Sequence, residues 1–186
     1  QYHALLKERE AIDHRMQILT HTAKLFHYVR MADNKTPQRI TVSKEVKVTL
    51  SPIDTSLYNS SQTTLDHILM HLEKIHKKQL QPYPFGTVFN AKDFLSDTSS
   101  IKYVFSFAYD SHPDHNNYLY TLPSSTLLAY VQRAHEASFQ THLKNFKDYI
   151  KKENYTPVSD VFSLMIVNII DPDESSKYLR FSFVCI

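Results

Sequence analysis

The stretch SFQTHLKNFKDYIKKENYTPVSDVFSLMIVNII, residues 138–170, changes hydrophobic period part-way along. From Ser138 to Glu153 the apolar residues Phe139, Leu143, Phe146, Tyr149 and Ile150 recur every three or four positions, the spacing of one helix face. From Asp160 to Ile170 the chain is predominantly apolar, as a buried strand is, and Tyr178–Ile186 reads as a second strand. Upstream, Leu127–Gln132 reads as a strand as well. The segment is therefore strand–helix–strand–strand.

The first half repeats that pattern. Ile40, Val42, Val46, Val48 and Leu50 alternate with polar residues, and Ser51-Pro52 closes this strand. A helix follows, capped around Ser61 or Thr63–Thr64, with Leu65, Ile68, Leu69, Leu72, Ile75 and Leu80 on one face. Gln81-Pro82-Tyr83-Pro84 stops it, and Phe85–Phe89 and Tyr103–Tyr109 supply two strands. The halves, about 38–110 and 118–186, share a pattern without clear sequence identity. The expected fold is α+β: duplicated units forming a mostly antiparallel sheet, helices on one face and the other face available as a concave site.

Ahead of this domain (38–186), residues 2–31 read as one long helix, giving a dimerisation segment over 1–32. Leu5, Ile12, Leu19 and Phe26 recur every seven residues, with Tyr2, Arg9, Met16, Ala23 and Arg30 at the companion positions. An amphipathic helix packed on its own domain would also show a stripe. The seam here is narrow and the remainder polar, which favours a coiled coil between two chains. The helix starts without a capping residue, as though it continued a longer one.

Composition excludes several classes. A net charge of +2, spread along the chain, gives no electrostatic footprint for nucleic acid. One glycine, Gly86, excludes glycine-rich phosphate loops, and no cofactor is expected. A lone cysteine, Cys185, the lack of a long apolar run and a charged N-terminus point to the cytoplasm and away from a membrane. The 12 tyrosines and 11 phenylalanines can supply both a core and a flat-walled pocket.

Val158-Ser159-Asp160-Val161-Phe162-Ser163-Leu164-Met165-Ile166, followed by Asp171-Pro172 and Lys177-Tyr178-Leu179, resembles the end of the multidrug-binding (GyrI-like) effector-binding domain of MerR-type transcription activators. Leu122-Pro123-Ser124 and Pro84-Phe85-Gly86-Thr87 resemble that family's entry to its second repeat and its aromatic–glycine turn. The resemblance covers about residues 38–186. It implies a transcription regulator whose sensor binds aromatic, often cationic, small molecules on the free sheet face. It also implies an antiparallel homodimer through the N-terminal helix, and promoter DNA held by a head domain that this sequence lacks. Carried over by position, the ligand-binding residues are Phe85, Phe139, Met165 and Tyr178, with Ser163 and Arg180 on the same face. Ser163 and Ser176 stand where the family has carboxylates, so neutral or anionic aromatics are the expected ligands.

Rival chemistry is weaker. Asp110, His112, Asp114 and His115 share one loop with no visible supporting shell, so no metal site is expected. His14 and His21 fall opposite the seam and read as solvated. A hydrolase of the GyrI-like family would need a pocket carboxylate, which Ser163 replaces, and neither Ser159 nor Ser163 has a histidine nearby in sequence. A protein-interaction module without a ligand is the remaining alternative.

Overall fold

A computed structural model describes residues 2–31, 36–42, 45–53, 66, 68–71, 85–96, 100–107, 119–122, 124–167 and 178–186. The expected helix cap at 61–64, Leu65, Leu72, Ile75 and Leu80, the loop 110–117, Ser176 and the side chain of Phe26 lie outside the described residues.

Eight strands form one antiparallel sheet: β1 (Gln38–Thr41), β2 (Val46–Pro52), β3 (Phe85–Phe89), β4 (Ile101–Phe107), β5 (Leu119–Leu122), β6 (Thr126–Arg133), β7 (Val161–Val167) and β8 (Tyr178–Cys185). Their order, β1-β6-β8-β7-β3-β4-β2-β5, is symmetric about the central β3–β7 pair. Outward from it lie β4, β2 and β5 on one side, and β8, β6 and β1 on the other. The first strand of each half therefore crosses over: β1 pairs with β6, and β5 pairs with β2. This corrects the reading of 39–50 as one strand, since Arg39 faces Leu128 while Leu50 faces Phe105 at the opposite end of the sheet. Alternation fixes a strand's faces but carries no information about its partner. At the centre Gly86 opposes Leu164. A Cβ on Gly86 would run into the Ser163 carbonyl oxygen and lie 2.7 Å from Phe105 Cε1, so only glycine lets the two halves close up here.

Three helices have both ends described. α2 (Ala91–Leu95) is a single turn capped by Asn90, whose side chain accepts from the Lys92 and Asp93 amides at 3.0 and 3.3 Å. α3 (Phe139–Lys152) starts at Ser138, whose Oγ accepts from the Thr141 amide, and ends before Asn154 in the left-handed region at φ 56°. It buries His142, Phe146 and Ile150. Phe146 and Ile150 meet Leu128, Tyr130, Val161 and Val184 of the sheet and Phe94 of α2. Each such side chain contributes roughly 1.5–3 kcal/mol by leaving water.

The opposite sheet face is not bare. Val48, Phe105, Phe162, Leu164, Phe181 and Phe183 form a buried cluster that includes Val29, with Leu25 packed against it. Both of these belong to the end of α1 (Tyr2–Met31), so the helices are not confined to one face. Earlier in α1, Leu5, Ile12 and Leu19 are 60%, 51% and 64% exposed.

Candidate functional site

Period-two alternation sorts the residues of β8. Leu179, Phe181, Phe183 and Cys185 belong to the cluster that meets α1, so Tyr178, Arg180, Ser182 and Val184 face α3. Ser163 Oγ lies 2.7 Å from Ser182 Oγ, which places Ser163 and its face-mate Met165 on the α3 side too. Phe85 shares the face of Thr87, the partner of Ser163. The five strand residues assigned to the free face therefore occupy the helix-covered one, and the sixth, Phe139, is the first residue of α3 itself. Which side α3 takes is decided by the two apolar clusters, and strand alternation alone is blind to it.

Four of the six gather around the first turn of α3. Arg180 opposes Met165 on β7 and Gln132 on β6. Its guanidinium lies 5.9 Å from the centroid of the Phe139 ring, and its Nε donates to the Ala137 carbonyl at 3.3 Å. Phe139 also leans on Phe89, with centroids 6.4 Å apart. Met165 and Tyr178 are 51% and 41% exposed, so this corner is open to solvent. Ser163 is buried, and Phe85 is half-buried opposite Ser106.

Directly beneath α3 lies a polar network. His142 stacks on Tyr130 with centroids 4.8 Å apart. Its Nδ1 is 3.3 Å from Gln132 Oε1 and its Nε2 2.9 Å from Ser182 Oγ. A carbonyl oxygen only accepts, so Nδ1 carries the proton, and in the neutral ring Nε2 accepts from Ser182. Ser163 then donates to Ser182. Burial, reinforced by the Arg180 charge, lowers the His142 pKa to about 4. A serine, a histidine and an amide in this order have the parts of a nucleophilic relay. Ser182 is fully buried, so here the relay fastens α3 to the sheet.

The other half carries the counterpart. His71, in a helical stretch at 68–71, places Nδ1 2.7 Å from Ser51 Oγ and Nε2 3.2 Å from Ser106 Oγ. Ser51 opposes Val104 as Gln132 opposes Arg180, and Phe85 opposes Ser106 as Ser163 opposes Ser182. The symmetry of the sheet thus relates His71 to His142, Ser106 to Ser182 and Ser51 to Gln132. Sequence reading missed all six. The available signal was His142, a polar side chain inside the stripe of Phe139, Phe146 and Ile150, which demands a buried partner.

Among the described residues no group of histidine, cysteine and carboxylate side chains could hold a metal, and no helix is long and apolar enough to cross a membrane. No family model matches the sequence, and no curated protein does either. Solved structures do match. The C-terminal domain of EcmrR shares the fold with a TM-score of 0.51 at 11% identity, over 80% of this chain and 96% of that one. A hydrolase from Listeria innocua aligns at a TM-score of 0.45 and 10% identity, over 87% of this chain and 97% of that one.

Proposed function

We propose that this chain is the ligand-sensing and dimerisation portion of a MerR-type bacterial transcription regulator acting in the cytoplasm. In this reading the duplicated domain 38–186 binds hydrophobic aromatic small molecules and catalyses nothing. Two chains pair antiparallel through Leu5, Ile12, Leu19 and Phe26, and a head outside these 186 residues contacts promoter DNA. The fold shared with the C-terminal domain of EcmrR is compatible with small-molecule binding.

The observation that carries the reading is α1. Three large apolar side chains seven residues apart stand in solvent on a helix whose far end, at Leu25 and Val29, is fixed in the core. Burying each would stabilise a complex by roughly 1.5–3 kcal/mol, and a heptad seam is the pattern that a second helix fills. Light scattering is expected to show a dimer that Ile12→Lys or Leu19→Lys converts to monomer, because either change sets an unpaired charge in the seam. A monomeric wild type overturns the dimerisation half of the proposal. For the sensing half, calorimetry is expected to show saturable binding of 2-naphthylmethanol, and a blank titration across naphthyl compounds removes it.

A further inference from the structure

The sheet symmetry permits a comparison inside one chain. Positions serving the fold alone should match between halves, whereas a site present once should show as a mismatch. The histidine networks match: His71 and His142 each bridge a helical segment to a serine on the last strand of their half. The neighbouring positions do not. Arg180 corresponds to Val104, which is fully buried and apolar. Met165, opposite Arg180, corresponds to Thr87, opposite Val104, and Phe139, three residues before His142, corresponds to Ile68. One half fills these three positions with Val104, Ile68 and Thr87, and its Lys102, the counterpart of Tyr178, is paired with Asp160 at 3.8 Å. The other places a guanidinium, an aromatic ring and a thioether there and leaves them partly open.

Among the described residues no carboxylate lies in ion-pair range of Arg180; its contacts are the Phe139 ring face and the Ala137 carbonyl. The guanidinium is held at one nitrogen, Nε, and lies over a ring, which leaves its two terminal nitrogens as donors for a carboxylate. Phe139, Met165 and Tyr178 around it match an aromatic body without fixing its shape. The titratable group of the network, His142, is kept neutral at pH 7 by burial and by the Arg180 charge, so it offers no second cation.

Resting on the sensor reading above, we propose that the outer end of the β7–β8 pair, where Arg180, Phe139, Met165 and Tyr178 meet at the start of α3, binds an aromatic carboxylate, and that the symmetry-related corner at Val104 does not. The carboxylate takes the Arg180 guanidinium, and the ring lies among Phe139, Met165 and Tyr178.

Calorimetric titration with 2-naphthoate, 2-naphthylmethanol and 2-naphthylmethylammonium at pH 7 tests the charge preference. Naphthoate is expected to bind tightest and the ammonium weakest. Arg180→Gln should weaken naphthoate roughly ten- to hundredfold, the scale of a charge-assisted hydrogen bond, and weaken the alcohol several-fold less; Arg180→Lys should recover part of the naphthoate loss. A second readout locates the ligand. Because Arg180 repels a proton from His142, naphthoate should raise the His142 titration midpoint seen by NMR, and the alcohol should not. Charge-blind binding, preference for the ammonium, or an unmoved His142 midpoint with bound naphthoate overturns the anion site and leaves the sensor reading standing. If none of the three compounds binds, the sensor reading falls and this site with it.

Discussion

His142 makes the stability of the fold sensitive to acid. Its pKa is about 4 in the folded chain, against about 6.5 for an ordinary histidine. The unfolded chain takes up this proton first, so the stabilisation is complete above pH 6.5 and is lost as pH falls toward 4. The gap corresponds to roughly 3 kcal/mol. Urea melts at pH 7 and pH 4.5 are expected to show this loss, and His142→Leu should remove that part of the pH dependence while lowering stability at pH 7 by about 1–3 kcal/mol, since Ser182 and Gln132 lose their partner. An unchanged pH slope in the variant would show that His142 does not control it. Gly86 is the other decisive residue. Gly86→Ala meets backbone and should destabilise the protein by about 3 kcal/mol or prevent folding, measured by the same melts.

Among the elements, α1 and α3 differ in what they contribute. α3 is seated along its length by His142, Phe146 and Ile150, and Phe146→Ala is expected to cost about 3–5 kcal/mol in chemical denaturation. Among the described residues, α1 joins the apolar core of the body near its end, through Leu25 and Val29. Measured in the Leu19→Lys background, Leu5→Ala should therefore leave the unfolding free energy unchanged within about 0.5 kcal/mol, whereas Val29→Ala should lower it by about 1–2 kcal/mol. Equal effects at both positions would show that α1 packs on its own domain along its whole length. The helical period of 138–153 was plain in the sequence, because an amphipathic helix writes its buried face into local spacing. α2 was missed, since a five-residue helix set by one asparagine cap leaves no period to read.

At the scale of the whole molecule, the exchange of β1 and β5 binds the halves into one unit. Each half lends a strand to the sheet of the other, so neither edge is complete alone. Unfolding followed by tyrosine fluorescence and by circular dichroism is expected to give coincident transitions; two separated steps would show that the halves fold independently. What the sequence determined by itself is local in origin: the helix at 138–153, the alternating strands, the heptad spacing of α1 and a chain unsuited to phosphate loops. Those features depend on neighbours within a few residues, and the period of a backbone repeats there. What only the tertiary structure decided is which strands pair, which sheet face α3 covers, and that His142, Gln132, Ser163 and Ser182 meet. Those are contacts between distant segments, set by how two apolar faces are best buried at once, and no local period encodes them.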